Sequence, residues 1–167
     1  MNRHPLPFDP VAEARRQWEV HGWADAAPGM AAITSLMRAQ QIVLARVEEV
    51  LRPFDLTFAR YEVLMLLRFS RAGALPLSRL GDRLQVHPTS VTNAVDRLEA
   101  QGLVRRCPHP SDRRATLAEL TDAGRELARS ATAELNARVF AEPGLTADRT
   151  ERLIDVLTDL RRSAGDF

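Results

Sequence analysis

The stretch Leu77-Ser-Arg-Leu-Gly-Asp-Arg-Leu-Gln-Val-His-Pro-Thr-Ser-Val-Thr-Asn-Ala-Val-Asp-Arg-Leu-Glu99 decides the fold. Leu77, Leu80 and Leu84 recur at helical spacing and form one apolar stripe, with Ser78, Arg79, Asp82 and Arg83 on the other faces. Val86 is expected to plug the turn that follows. His87-Pro88 then opens a second helix. Proline suits a first helical position because the N–H it lacks has no partner there and its φ is already helical. Val91, Val95 and Leu98 give this helix its stripe at i, i+4 and i+7. The opposite face carries Thr89, Ser90, Thr92, Asn93 and Asp96, with Arg97 beside it. Two short helices around a tight turn make a helix-turn-helix. Short hydrogen-bonding side chains at the start of the second helix are what major-groove base edges require.

Working outward, Gly102 is placed to be a left-handed helix cap. Leu103-Val-Arg-Arg-Cys107 has strand character, Pro108 to Pro110 breaks it, and Ala115 to Leu120 returns antiparallel. The result is a β-hairpin, or wing, whose tip carries Ser111, Asp112, Arg113 and Arg114. An arginine at such a tip can enter a narrow minor groove, where negative potential is enhanced. Asp112 would repel phosphate, so it reads as a support that holds an arginine guanidinium in place. The expected DNA contacts are Ser78, Arg79, Thr89, Ser90, Thr92, Asn93, Arg97, Arg105, Arg113 and Arg114. Each piece alone is common: a Ser-Thr run can be only an N-cap, and a basic hairpin only a protected sheet edge. Their order and spacing carry the reading.

Composition narrows the class. At 167 residues the chain has length for one domain with a substantial core. Its net charge is only +1, so it is no general basic coat for nucleic acid. The charge is local: arginines cluster in the hairpin and carboxylates lie downstream, which suits one face docked on DNA. Every basic side chain apart from histidine is arginine. One cysteine excludes an intramolecular disulfide framework. No apolar run approaches the roughly 18 residues of a membrane span, and the N-terminus lacks a signal-peptide layout. A cytoplasmic protein without membrane contact is expected. No phosphate-cradling glycine loop, nucleophile elbow, paired cysteines or i, i+4 histidine pair appears, so neither an enzyme nor a metal site nor a cofactor is expected.

The flanks are helical. Residues 1–8 are expected to lack regular structure. Asp9-Pro10 caps a helix to about Glu19, and Gly22, Pro28 and Gly29 interrupt. A long helix from about Met30 to Leu51 has a wide, heptad-like apolar stripe. A central helix begins at Thr57 and closes at Gly73. After the hairpin, Thr121 or Asp122 caps a helix through about Phe140, and a last helix begins at Thr146, with Leu153, Val156, Leu157 and Leu160 as its stripe. The fold class is mainly α: a winged helix-turn-helix with N- and C-terminal dimerisation helices. It reads as one domain over 1–167, with N-terminal helices 9–55, a DNA-binding lobe 56–120 and C-terminal helices 121–163. The flanking helices have more apolar surface than one small domain needs, and a solitary helix-turn-helix contacts few base pairs. Both points favour a homodimer whose recognition helices lie about 34 Å apart on double-stranded DNA.

This arrangement resembles the MarR family of bacterial transcriptional regulators over about residues 30 to 163. The residues that carry it are Leu80-Gly-Asp-Arg-Leu84, Val91-Thr-Asn-Ala-Val-Asp-Arg-Leu-Glu99, Gly102-Leu-Val-Arg-Arg106, Asp112-Arg113-Arg114 and Leu120-Thr-Asp-Ala-Gly124. The resemblance implies a homodimeric repressor on a pseudo-palindromic operator, released by a small molecule, often an aromatic acid or another anion. The family's wing aspartate and arginine fall on Asp112 and Arg113. The segment before residue 30 is an addition to the family pattern.

The resemblance also implies an effector site between the dimer helices and the DNA-binding lobe. Arg38 and Tyr61 fall near positions where members that bind aromatic acids tend to carry an arginine and a tyrosine. A guanidinium and a phenol suit a carboxylate on an apolar ring. Trp18, His21 and Trp23 are candidates to close the pocket, or else packing residues of a docking helix. Two alternatives remain. Arg105, Arg106 and His109 around Cys107 can favour its thiolate and make the wing a redox sensor, or the winged helix can serve a protein adaptor that does not bind DNA.

Overall fold

In the computed structural model the described residues are 6–112 and 115–167. Most of the segment expected to be unstructured, residues 1–5, lies outside them, as do Arg113 and Arg114. The chain divides into two compact units, Met1–Arg46 and Val47–Phe167. The sequence reading had one domain with a lobe starting at residue 56. The division falls earlier because Val47, Val50 and Leu51 are buried in the core of the second unit.

In the first unit, α1 spans Pro10–Val20, with Pro10 at its first position and Asp9 accepting a hydrogen bond from the Val11 N–H at 2.9 Å. A 3-10 turn follows at Ala24–Ala26. Helix α2 then runs Ala27–Leu51, so it starts before the expected Met30. Pro28 and Gly29 do not interrupt it. They sit in its first turn, where proline forfeits no helical hydrogen bond.

The second unit is built around α3, Phe58–Phe69, capped by Thr57 Oγ1 on the Arg60 N–H. Then come β1 (Ala74–Pro76), α4 (Leu77–Leu84), α5 (Pro88–Ala100), β2 (Val104–Pro108) and β3 (Thr116–Leu120). Helix α6 (Asp122–Leu135) continues into a π-helical turn at Asn136–Phe140, and α7 spans Ala147–Ser163. Leu64 and Leu67 of α3 share a core with Leu80, Val91, Val95, Leu98, Ala128, Ala131 and Leu135. Each large aliphatic side chain buried there stabilises the fold by about 1.5–3 kcal/mol before entropy is counted. The stripes read from the sequence on α4 and α5 thus point inward as expected, whereas much of those on α2 and α7 stays exposed.

The hairpin is antiparallel, from Val104 opposite Leu120 to Pro108 opposite Thr116. The sequence reading had only these two strands. The structure adds β1 on the far side of β3, with Leu75 opposite Ala118, giving the order β1-β3-β2. The strand leading into α4 is therefore hydrogen-bonded to the wing.

Three further details position the lobe. Helix α5 ends on Gly102, whose φ of 71° is left-handed. The Gly102 N–H reaches the Glu99 carbonyl and the Leu103 N–H the Leu98 carbonyl, both at 2.9 Å, the double closure of a Schellman cap. Thr121 caps α6 on the Gly124 N–H at 3.0 Å, and its hydroxyl donates to the Gly102 carbonyl at 2.8 Å. Val86 does not plug the turn between α4 and α5, since 41% of it is exposed. The turn is instead held by the left-handed Gln85 and a Val86 N–H to Gly81 carbonyl bond at 3.3 Å.

Two helices keep apolar side chains in solvent: Ile33, Met37, Ile42 and Val43 on α2, and Leu153, Ile154, Val156 and Leu160 on α7. Among the described residues no helix is long and apolar enough to cross a membrane.

Candidate nucleic-acid interface

Helix α5 buries Val91, Val95 and Leu98 and leaves Thr89, Ser90, Thr92, Asn93 and Arg97 exposed. Its N-terminus is capped by His87, whose Nδ1 accepts from the Thr89 N–H at 3.2 Å. Thr92 spends its hydroxyl proton on the Pro88 carbonyl at 3.1 Å, so its oxygen can still accept. Among the described residues, Asn93, Ser90 and Arg97 on this face, and Ser78 and Arg79 on α4, engage no side-chain partner. An unsatisfied, exposed set of donors and acceptors on a rigid helix is what groove reading needs.

Asp96 does not belong to that free face. With Glu99 it grips Arg106 of β2: the guanidinium lies 2.5 Å from each carboxylate, and the Arg106 N–H donates to Glu99 at 2.8 Å. That backbone bond, then the guanidinium, holds the Glu99 carboxyl below its ordinary range. The fork ties the wing to the helix that would enter the groove. No local pattern announced it. Two carboxylates three residues apart on α5, followed by an arginine in the middle of the next strand, were its only signal.

Arg105, expected on DNA, is paired across the hairpin with Glu119 through two bonds of 2.9 and 2.8 Å. At the wing tip, His109 Nδ1 accepts from the Asp112 N–H at 3.1 Å and organises the turn. Ser78 and Asp112 line one groove between α4 and the wing, with Thr116. The support of an arginine by Asp112 concerns Arg113 and Arg114, outside the described residues.

Cys107 corrects one expectation. Its S–H donates to Glu119 at 3.2 Å. That bond first, then burial, pushes the thiol up, against a smaller opposing effect from Arg105. Arg106 is turned away to Asp96 and Glu99. The thiolate is therefore disfavoured, against the expectation that the neighbouring cations favour it.

Tyr61 lines a cavity of about 470 Å³ between α3, α4, α6 and the π-helical turn, and its hydroxyl lies 3.1 Å from Thr132 Oγ1. Glu62, Arg83 and Phe140 also line it, and the sequence reading chose none of them. The lone carboxylate of a mostly apolar helix was the available signal. Arg38 lies in the other unit, exposed on α2. Trp18, His21 and Trp23 form an aromatic cluster in that unit, with Trp23 edge-on to Trp18 at 5.3 Å and stacked on His21 at 6.0 Å. Among the described residues no His, Cys, Asp and Glu cluster fits a metal ion.

The MarR family model matches residues 56–116, the segment from the start of α3 into the wing. The crystal structure of Sco5413, a MarR family transcriptional regulator from Streptomyces coelicolor, is 53% identical with a TM-score of 0.77, covering 84% of this chain and 97% of that one. A MarR mutant from Escherichia coli complexed with operator DNA is 28% identical (TM-score 0.70; 76% of this chain, 91% of that one). CouR from Rhodococcus jostii RHA1 bound to p-coumaroyl-CoA is 30% identical (TM-score 0.65; 75% and 87%). Among curated proteins, the HTH-type transcriptional regulator YhbI of Bacillus subtilis is 38% identical over 87 residues, 52% of this chain. The chain spans 55% to 66% of the length of the first curated relatives it matches. With a recognition helix, a wing and a close structural match over nearly the whole of a solved regulator, the chain belongs to the MarR family.

Proposed function

We propose that this chain is a cytoplasmic, sequence-specific DNA-binding repressor. It acts as a homodimer on a pseudo-palindromic operator and is released by a small molecule held beside Tyr61. The observation that carries the reading is α5: an apolar face locked in the core, a free polar face outward, and the wing tied to it by Arg106. The complex of the related Escherichia coli protein with operator DNA supports it.

In this reading Thr89, Ser90, Thr92 and Asn93 meet base edges, while Ser78, Arg79 and Arg97 meet phosphates. Arg113 and Arg114 act in the minor groove with Asp112 as their support. Arg105 reaches DNA only by leaving Glu119, so its contribution is the smaller. The apolar faces of α2 and α7 meet those of a second copy, which sets the spacing of two recognition helices.

Binding-site selection followed by fluorescence anisotropy tests the assignment. Asn93→Ala is expected to change the preferred sequence, a bidentate base contact being worth about 1–3 kcal/mol of discrimination. Arg79→Ala and Arg97→Ala are expected to weaken all sequences alike and flatten the salt dependence. An unchanged preference in Asn93→Ala rejects the base-reading role.

Release requires an effector that favours the form unable to bind DNA, since a ligand that binds both forms equally shifts nothing. The class implied by the resemblance is a small anion, such as an aromatic acid; the related CouR is bound to p-coumaroyl-CoA, an aromatic acyl thioester.

A further inference from the structure

The cavity beside Tyr61 is lined by a second charged group of opposite sign. Glu62 is half-buried in its wall. Among the described residues it makes no hydrogen bond and no ion pair. Burial pushes its carboxyl up, with no neighbouring cation to bring it down. Arg83 lines the same cavity, yet its exposed side chain is screened by water and does not compensate Glu62.

The rest of the lining selects for the same charge. Four aromatic rings, those of Phe58, Tyr61, Phe69 and Phe140, meet in this one cavity of a chain that is only 5% aromatic. Phe58 and Tyr61 are stacked at 6.2 Å. Phe69 and Phe140 are 74% and 47% exposed, so apolar ring surface awaits an occupant. Phe140 and Asn136 reach the lining from the π-helical turn, a rare deviation that widens α6 at the cavity. A ring face carries negative potential and attracts cations. A carboxylate removed from water without a partner attracts them more strongly than a solvated one.

We propose that the ligand of this cavity is a lipophilic organic cation, its charged head against the Glu62 carboxylate and its apolar body among the four rings. An acid of the same shape has to bring a second negative charge beside Glu62. The proposal rests on the reading of this cavity as the effector site only for its effect on DNA binding.

The experiment is calorimetry on the full chain with two ions of similar shape and opposite charge, tetraphenylphosphonium and tetraphenylborate, together with benzyltrimethylammonium and cinnamate. The cations are expected to bind about tenfold or more tightly than the anions. Glu62→Gln is expected to remove that preference. Phe69→Ala, at an exposed position that leaves the core intact, is expected to weaken the cations. The comparison of ions on the unaltered protein needs no variant to fold. Equal binding of the two charges, tighter binding of the anions, no binding of the cations, or undiminished preference in Glu62→Gln overturns the proposal. Anisotropy on operator DNA is read alongside. Glu62-dependent cation binding that leaves DNA affinity unchanged upholds the ligand class and rejects the regulatory role of the cavity; intact DNA binding without cation binding overturns the ligand class and leaves the DNA-binding reading standing.

Discussion

A Cβ at Gly124 would lie 2.1 Å from the Leu103 carbonyl oxygen, a backbone atom that cannot swing aside. The Leu-Thr-x-x-Gly motif thus has a steric cause: Thr121 holds the start of α6 against the Gly102 turn, and only glycine fits the approach. Gly124→Ala is expected to cost about 1–3 kcal/mol, as overpacking does. Gly29→Ala, in open space within α2, is expected to be neutral or stabilising by up to about 1 kcal/mol. Urea midpoints of the two variants check both. Glu62 makes a second prediction. Its carboxyl is raised in the folded protein, so the folded state takes up a proton at a higher pH than the unfolded chain. Its relative contribution to stability is full below the unfolded pKa and is lost as pH rises through the folded one. Wild type is therefore expected to gain on Glu62→Gln as pH falls through that window, measured as the difference of their unfolding midpoints.

At the scale of elements, the wing is held to α5 by the Arg106 fork and to the strand before α4 by the β1–β3 pairing. Arg106→Ala is expected to leave the helical core folded, speed amide exchange in β2 and weaken operator binding. Arg106→Lys is expected to restore little, because a point charge cannot bridge two carboxylates as a planar guanidinium does. Unchanged exchange in β2 would show that strand pairing alone holds the wing. The helices themselves were legible because their causes are local: Asp9, Thr57 and Thr121 as caps, Gly102 as the left-handed stop, and leucine and valine stripes at helical spacing. Strand β1 was not legible, since Ala74-Leu75-Pro76 has no alternation and exists only through β3. The same holds for the site. The polar face of α5 could be read from spacing, whereas the pairing of Asp96 with Arg106 and the meeting of Glu62 with four rings depend on distant segments. Val86 failed as a plug because backbone geometry at Gln85, rather than burial, closes that turn.

At the scale of the molecule, α2 and α7 leave rows of leucine, isoleucine, valine and methionine in water. Exposed apolar surface of that kind suits the proposed association face. Leu160→Arg, 43% exposed and outside the core, is expected to yield a monomer by sedimentation with the winged lobe still folded. Operator affinity is expected to fall roughly tenfold or more, because two half-sites no longer act together. A wild-type chain that sediments as a monomer at micromolar concentration removes the homodimer from the proposal.

The S–H of Cys107, bonded to Glu119 in the wing, has a practical consequence. It belongs to the only cysteine in the chain, and the sequence contains no lysine. A maleimide dye therefore attaches at one place without any engineering, on the strand beside the proposed DNA contact. Glu119 slows the labelling near neutral pH by disfavouring the thiolate, and mildly alkaline buffer restores it. The natural protein thus carries its own single-site optical reporter, poised to register when the wing meets a duplex.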